Sequence, residues 1–413
     1  MTAVAPPPLY SVLPFAAMLL VIAICPLWVP HWWERNSNKL VVALALAVPI
    51  VVYYLVRHPH ELLATGQDYT SFIILLASLF VISGGIRVTG DLEATPLTNT
   101  TFLALGSVLA SFVGTTGASM LLIRPLLQTN RERTRVQHTV IFFIFLVSNI
   151  GGLLTPLGDP PLFLGYLQGV PFMWTFRLWL PWLVTVGTLL VVYFVWDSIV
   201  HPREPIRALQ RDRAQLRPLR MAGALNVLWL AGVVAAVAFL GSPWRELLML
   251  ALAGLSLWKT DYQIRRGNEF TFYPIVEVGV LFLGIFVTMV PALELLRLRG
   301  AELGVREPWQ FFWVTGALSS FLDNAPTYLT FLALGQGLHL ADEVVGVPHA
   351  ILTGISMGAV FMGANSYIGN APNFMVKSIA EEAKVKMPSF FSYMAYSGAI
   401  LLPVFAVVTK LFF

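Results

Sequence analysis

The chain alternates long apolar runs with short polar segments along most of its length. A helix needs about 20 predominantly apolar residues to cross the hydrocarbon core of a bilayer. Runs of about this length recur, and we interpret them as membrane-spanning helices. The uninterrupted ones are Tyr10–Pro30, Leu40–Val56, Thr70–Val88, Phe176–Val200, Leu225–Leu240, Leu247–Trp258, Phe270–Leu296 and Phe390–Phe413. The pattern predicts an all-α polytopic membrane protein.

Four other apolar stretches are interrupted near their centres by polar, glycine and proline residues. Leu97–Leu127 and Pro308–Leu340 each have a polar tip too close to both flanks for either side to cross completely. This spacing predicts two re-entrant hairpins. Thr139–Tyr166 and Ile351–Ala380 read instead as helices broken at Thr155–Pro161 and at Asn365–Pro372.

The first break contains the segment Ser148–Pro161, SNIGGLLTPLGDPP. Its prolines and glycines interrupt the helical hydrogen-bond ladder. Irregular backbone at membrane depth is tolerated only where protein buries it or where it lines a watery cavity. Asp159 places a carboxylate at that depth, where an ionisable group is by default a functional candidate.

The interrupted elements occur twice, in the same order. Ser111-Phe112-Val113-Gly114 resembles Ser320-Phe321-Leu322-Asp323, and Gly158-Asp159-Pro160-Pro161 resembles Gly369-Asn370-Ala371-Pro372. Each unit reads helix, hairpin, broken helix, helix. We therefore predict four regions: transmembrane scaffold helices in 1–69, a first repeat in 70–200, a basic linker with two connecting helices in 201–269, and a second repeat in 270–413.

The loop charges predict that the two repeats are inverted. The loop Gln128–His138, the linker His201–Arg220 and the segment around Lys259 and Arg265 are rich in basic residues, whereas Leu167–Met173 has none. Short basic loops remain on the cytoplasmic side. The first hairpin would then enter from the cytoplasm and the second from outside, as in inverted-repeat transporters.

Composition agrees with a membrane location. Of 413 residues, 57% are hydrophobic and only 12% are charged. The net charge of +4 lies largely in short loops that set topology, so we expect no nucleic-acid partner. Cys25 is the single cysteine, which excludes an internal disulfide or a multi-thiolate metal site. We expect a multi-pass protein of the cell (inner or plasma) membrane, surrounded by lipid.

The candidate ligands lie at the four interruptions. Carboxylate, amide and hydroxyl oxygens suit a small hard cation, and a carboxylate can exchange that cation for a proton. The alternative for the two acids is that each caps the N-terminus of a half-helix. The candidates are Asp159, Asp323, Asn149, Ser148, Thr155, Asn324, Asn365, Ser366, Asn370, Thr115 and Thr116.

At Ser148–Pro161 and at Gly316–Pro326, GALSSFLDNAP, the sequence resembles NhaD-type sodium/proton antiporters of the ion transporter superfamily. Relatives in that superfamily include divalent-anion/sodium symporters, citrate carriers and arsenite or silicic acid exporters. The resemblance implies a homodimer whose hairpins and broken helices move like an elevator. Two features depart from the superfamily pattern: Pro160-Pro161 follow the acid, and Thr115-Thr116-Gly117 form the first tip.

We therefore expect a secondary transporter, not an enzyme, that exchanges Na⁺ (or Li⁺) for H⁺ at Asp159 and Asp323. It would need no cofactor beyond these transported ions. A sodium-coupled di- or tricarboxylate symporter and a proton-coupled metalloid exporter remain as alternatives. An intramembrane aspartyl protease would need Gly-x-Gly-Asp, but position 156 is proline.

Overall fold

The structure is a computed structural model that describes residues 6–413; the predicted first region, 1–69, begins with five residues outside this range. It consists almost entirely of helices. By length and composition, eight stretches of the described residues could cross a membrane: Leu9–Pro26, Asn36–Arg57, Pro59–Ser83, Pro96–Val113, Gln137–Leu154, Phe172–Arg203, Tyr273–Leu303 and Phe390–Phe412. The predicted all-α polytopic membrane protein is thereby confirmed.

The N-terminal helices pack against the first helix of the second repeat. They are α1 (Leu13–Trp28), α2 (Pro30–Trp33), α3 (Asn36–Arg57) and α4 (Pro59–Ser83). A salt bridge of 2.5 Å joins Lys39 of α3 to Glu277, and the Tyr54 hydroxyl donates to Glu294 at 2.8 Å. These acids begin and end one apolar helix, and in the structure they tie that helix to α3.

The first repeat follows a short strand, β1 (Arg87–Asp91). Its helices are α5 (Pro96–Val113), α6 (Thr115–Thr129), α7 (Gln137–Leu146), α8 (Pro160–Leu167) and α9 (Trp179–Val200). Thr95 caps α5 by accepting a hydrogen bond from the Thr98 N–H. Helix α7 lies at the centre of the fold, since each of its residues from His138 to Leu146 is buried.

The connecting region contains more regular structure than a solvated loop. It comprises α10 (Ile206–Ala214), β2 (Arg217–Ala222), α11 (Leu225–Phe239), α12 (Trp244–Lys259) and α13 (Tyr262–Gly267). Strand β2 pairs antiparallel with β1, with Arg87 opposite Ala222. This two-stranded sheet was not predicted: Val88, placed at the end of an apolar span, lies in β1. Helices α11 and α12 have 15 and 16 residues, so both are short for a perpendicular crossing.

The second repeat has the same order of elements as α4–α9, with α4 as the counterpart of its first helix. Its helices are α14 (Tyr273–Arg299), α15 (Pro308–Ser319), α16 (Asn324–Gln336), α17 (His349–Met362), α18 (Ala371–Glu382) and α19 (Phe390–Phe412). Glu307 and Gln310 form a reciprocal capping box at the start of α15. Each repeat thus contains a helical hairpin, a broken helix and a following long helix, as predicted.

The loops separate onto two faces. On one face, β1 pairs with β2, Glu204 binds Thr134, and Arg124 at the base of the first hairpin bonds to Glu269 at 2.6 Å. On the other, Arg297 donates to Gln336 at the base of the second hairpin, and Trp174 donates to His349. One long helix, Tyr273–Arg299, separates these two groups of contacts, since Glu269 precedes its start and Arg297 lies near its end. The two hairpins therefore have their bases on opposite faces, which is the inverted arrangement that the loop charges predict.

Both breaks begin earlier than the sequence predicts. Helix α7 ends at Leu146 and α8 begins at Pro160, whereas the predicted break was Thr155–Pro161. The Asn149 side chain explains the early end, because its amide donates to the Ile144 carbonyl that a longer helix would use. The second break runs from Gly363 to Asn370, instead of Asn365–Pro372.

Candidate functional site

The tips of both hairpins and both broken helices meet at the carboxylate of Asp159. Thr115 Oγ1 and Asn370 Nδ2 each donate to Asp159 Oδ1 at 2.9 Å, and Asn324 Nδ2 donates to Oδ2 at 2.5 Å. Asp159 is 1% exposed. One residue from each of the four interrupted elements thus builds this site.

The site has an approximate two-fold relationship between the repeats. Asp159 and Asn370 are 211 residues apart and occupy equivalent positions immediately before α8 and α18. Thr115 and Asn324 are likewise equivalent, since each is the first residue of the second hairpin helix. The symmetry is broken at its centre, where one repeat supplies a carboxylate and the other a neutral amide. Asp159 is therefore the single acid within this hydrogen-bonded shell.

Hydroxyl groups attach each hairpin to its own break in the same way. Thr155 Oγ1 donates to the Ser111 carbonyl, and Ser366 Oγ donates to the Ser320 carbonyl at 2.5 Å. Thr155 Oγ1 also accepts from the Leu157 N–H, as Ser366 Oγ does from Ile368. Both hydroxyls are thus engaged by backbone groups that the interrupted helices leave unpaired.

Glycines allow the backbone of each break to fold tightly. A Cβ on Gly158 would overlap the carbonyl of Gly152, and one on Gly369 would press on that of Gly363. The Gly158 carbonyl also accepts the Thr115 N–H at 2.8 Å, which fixes the first tip against the first break. The position of Thr115 beside Asp159 therefore depends on this glycine.

A second polar cluster lies beside the carboxylate. Asn149 Nδ2 donates to Asn373 Oδ1 at 2.7 Å, Ser119 and Ser148 share a hydrogen bond of 2.8 Å, and Asn370 Nδ2 also donates to the Ser148 carbonyl. Asn373 and Ser119 were not among the predicted ligands. Their polar character near the interruptions was the available signal, but their places within helices made them resemble ordinary buried polar residues.

Around the four interruptions, three buried amide oxygens have no hydrogen-bond partner among the described residues. They are the Oδ1 atoms of Asn149, Asn324 and Asn365. Asn324 also donates to Asp159 through its other amide atom, and Asn365 donates to Ser320 Oγ at 2.9 Å. Unpaired buried acceptors are costly, and oxygens of this type are suitable ligands for a small cation.

The predicted residues Asp323 and Thr116 also lie outside the shell of groups that hydrogen-bond to Asp159. Asp323 caps α16, accepting from the Ala325 N–H at 3.0 Å. This geometry is the capping role weighed as the alternative for each acid. Thr116 is half-buried and follows Thr115 in the first turn of α6. Asp323 nevertheless immediately precedes Asn324, whose side chain reaches Asp159.

The groups that hydrogen-bond to Asp159 are all neutral. By contrast, the buried Asp197 is paired with Arg133 at 2.5 Å and with His138 at 2.9 Å. Lys377, which follows the second break, pairs with Glu381 at 3.0 Å. Hydroxyl and amide groups alone thus solvate the Asp159 carboxylate, leaving it able to bind a proton or a cation.

Comparisons with known proteins agree with a transport role. A family model described as "putative citrate transport" matches residues 5–413. An "uncharacterized transporter" of Mycobacterium bovis and one of Mycobacterium tuberculosis are each 27% identical to this chain, with 88% of this chain and 90% of the relative covered. A "46 kDa membrane protein" of Mycobacterium leprae is 24% identical, with 83% and 84% covered. Because the family model spans nearly the whole sequence, this chain belongs to the putative citrate transport family, and it is a multi-pass membrane transporter.

Proposed function

We propose that this protein is a secondary active transporter that exchanges Na⁺ for H⁺, with Asp159 holding the two ions alternately. The observation that carries the proposal is a buried carboxylate at the junction of four interrupted elements, bound only by neutral groups. A carboxylate permanently paired with a cationic side chain could not bind a transported cation. The Asp159 carboxylate has no such partner, and residues of both repeats contact it.

The groups around Asp159 can accommodate either ion. The amides of Asn324 and Asn370 each carry both donor and acceptor atoms, and the Thr115 hydroxyl can donate or accept. In this structure they donate to the carboxylate. With Na⁺ bound, reoriented oxygens would complete its coordination; with a proton bound, the acid would donate to one of them.

Asp323 is proposed as a second, subsidiary acid. It caps α16 next to Asn324, so a change in its protonation would act on the same hairpin tip. This assignment modifies the expectation that the two acids serve equally. The homodimer implied by the resemblance stays a prediction.

Contacts between the repeats support movement of the two hairpins and two broken helices as one body. Asn370 and Asn324 of the second repeat bind Asp159 of the first, and Asn149 binds Asn373. Within each repeat, Thr155 and Ser366 fasten the break to its hairpin. An elevator-like motion would carry this interlocked unit, with its ion, past the scaffold helices.

The test is ion exchange by purified protein in proteoliposomes with an imposed pH gradient. Na⁺ or Li⁺, but not K⁺, should dissipate the gradient in the wild type. Asp159→Asn should abolish this response, while Asp342→Asn, which changes an exposed acid in a loop, should preserve it. Normal Na⁺-driven dissipation by Asp159→Asn would refute the proposal.

Cation-coupled citrate symport is the second candidate, favoured by the family description and by one cavity. A cavity of about 670 Å³ on the basic face has five arginines in its lining: Arg87, Arg124, Arg131, Arg217 and Arg220. Arginine forks match carboxylates well, so this surface could attract a polycarboxylate. Against it, Asp159 would repel such an anion unless a proton or cation neutralised it.

The same vesicles separate the two candidates. Exchange predicts that Na⁺ alone dissipates the pH gradient and that labelled citrate does not accumulate. Symport predicts citrate accumulation driven by a Na⁺ or proton gradient, with little response when citrate is absent. In either case Asp159→Asn should remove the coupling.

A further inference from the structure

Three acidic side chains on the basic face come together from three separate segments. Asp91 ends β1, Glu132 lies in the loop between α6 and α7, and Asp212 lies in α10 of the linker. One oxygen from each residue lies within 4.8 Å of the others. The backbone therefore holds three like charges close together, which is unfavourable unless something compensates for them.

The carboxylates are buried, and each has an oxygen without a partner. Asp91 is 5% exposed, Asp212 is 3% exposed, and the Glu132 side chain is 7% exposed. Among the described residues, Asp91 Oδ1, Glu132 Oε2 and Asp212 Oδ1 accept no hydrogen bond. An unsatisfied buried carboxylate oxygen is expensive. Three buried acids that each keep one unsatisfied oxygen, in one cluster, favour a positively charged ligand.

The second oxygens of these residues are already used for positioning. Gln128 Nε2 donates to Asp91 Oδ2 at 3.3 Å, the Ala94 N–H donates to Asp212 Oδ2 at 2.9 Å, and Arg131 contacts Glu132 Oε1 at 3.3 Å. Arg131 is 61% exposed in its side chain and offers only weak neutralisation. One oxygen of each acid is thus held in place while the other remains available.

We propose that Asp91, Glu132 and Asp212 form a binding site for a hard divalent cation such as Ca²⁺ or Mg²⁺. All three ligands are carboxylate oxygens, which these ions prefer. Ca²⁺ coordinates oxygens at roughly 2.3–2.6 Å, so oxygens on opposite sides of the ion lie about 5 Å apart. The separations in this cluster fit within that span.

Such a cation would connect the linker to the base of the first hairpin. Asp212 belongs to the linker helix α10, and Glu132 lies three residues beyond α6, whose first residue is Thr115. Binding would hold α10 and β1 against the end of α6. The site would therefore restrain the hairpin from the end opposite Asp159, which gives the linker a regulatory role.

The experiment uses the full-length protein in detergent, stripped of metal with a chelator and then exchanged into metal-free buffer. Equilibrium binding of Ca²⁺, Mg²⁺ and Mn²⁺ should show one saturable site per chain, and the bound ion should raise the thermal unfolding temperature. Asp212→Asn keeps the acceptor for Ala94 but removes a charge, so it should weaken binding by about tenfold or more. Asp91→Asn and Glu132→Gln should weaken divalent-cation binding to a similar extent.

Two controls define the location. Glu93→Gln removes a neighbouring acid outside the cluster, which pairs with Arg213, and should leave binding unchanged. Asp159→Asn should also bind normally, which separates this site from the transported ion. In chelator, Asp212→Asn should unfold at the wild-type temperature or above, because it relieves repulsion among the acids. An unfolding temperature at or above the wild-type value would show that the Asp212→Asn variant folds.

Absence of saturable divalent binding in the wild type would overturn the proposal. So would binding that all three substitutions leave at wild-type affinity, since the ion would then lie elsewhere. If one variant does not fold, the other two decide the question.

Discussion

Asp159 and Asn370 occupy equivalent positions in the two inverted repeats and are joined to each other by a hydrogen bond of 2.9 Å. The repeats thus present their matching side chains to a common centre, where a single acid faces its neutral counterpart. The near-symmetry brings both broken helices to one carboxylate, and the Asp/Asn difference makes Asp159 the single acid of that hydrogen-bonded shell.

This relationship predicts the result of exchanging the two side chains. Asp159→Asn should reduce Na⁺/H⁺ exchange to background, because only the charge is removed. The double variant Asp159→Asn/Asn370→Asp returns a carboxylate to the equivalent position and should recover exchange above that background. Proteoliposome assays with matched protein amounts would measure both. A double variant as inactive as Asp159→Asn would show that the two positions are not functionally equivalent.

Asp323 should matter less than Asp159. Asp323→Asn keeps a side chain that can cap α16, so its stability should be close to wild type and its exchange activity only partly reduced. Asp323→Ala loses the cap and should be destabilised by about 1 kcal/mol. Thermal unfolding and transport, measured on the same preparations, would test this. Complete loss of exchange in a stable Asp323→Asn protein would show that Asp323 is as necessary for transport as Asp159.

The glycine contacts in the breaks predict strong intolerance to a methyl group. Gly158→Ala would push a Cβ into the Gly152 carbonyl, and Gly369→Ala would do the same at Gly363. Overpacking of this kind costs about 1–3 kcal/mol or more, and it should displace Thr115 from Asp159. Gly254→Ala is the control, because nothing lies within 4 Å of its added methyl. Unfolding temperature and exchange should fall in the first two variants only.

The sequence predicts the overall plan because the interruptions are visible in it. Polar, glycine and proline residues stand out in apolar runs, and the matched Ser111 and Ser320 mark positions that make equivalent contacts in the structure. The roles of the two acids could not be separated in this way. Asp159 and Asp323 both precede a half-helix, but only the folded backbone decides that Asp159 is the one bound by Thr115, Asn324 and Asn370.

The contacts that the linker makes could not be predicted from the sequence either. Glu204 and Asp212 are isolated acids among many arginines, a pattern typical of a solvated loop. Their actual partners include backbone N–H groups of Thr134, Arg135 and Ala94, which any residue provides. No side-chain pattern reveals such contacts.

Glu204 predicts a pH dependence of stability on the linker side. Burial opposes its ionisation, but hydrogen bonds from the Thr134 hydroxyl and from the Thr134 and Arg135 N–H groups outweigh burial and lower the pKa of Glu204. A lowered folded-state pKa stabilises the fold above the unfolded value of about 4.5, and this contribution is lost as the pH falls through the folded value.

Glu204→Gln should therefore lower stability by about 1–3 kcal/mol at neutral pH and flatten its decline below about pH 5. Thermal unfolding from pH 3 to pH 7 would measure the effect. Glu302→Gln, which changes an exposed acid on the opposite face, is the control. Parallel stability curves for the wild type and Glu204→Gln would contradict this account.

The final prediction is that protons and Na⁺ compete for Asp159. The carboxylate cannot hold a proton and coordinate Na⁺ at the same time, and its neutral neighbours add no other charge to the immediate shell. Lowering the pH should therefore raise the apparent KM for Na⁺ and leave the rate at saturating Na⁺ nearly unchanged, because that rate reports the conformational step. Initial rates across Na⁺ concentrations at several pH values, within the range where the protein remains folded, would show this. A KM that stays constant with pH would mean that the two ions do not share Asp159, and would favour citrate symport instead.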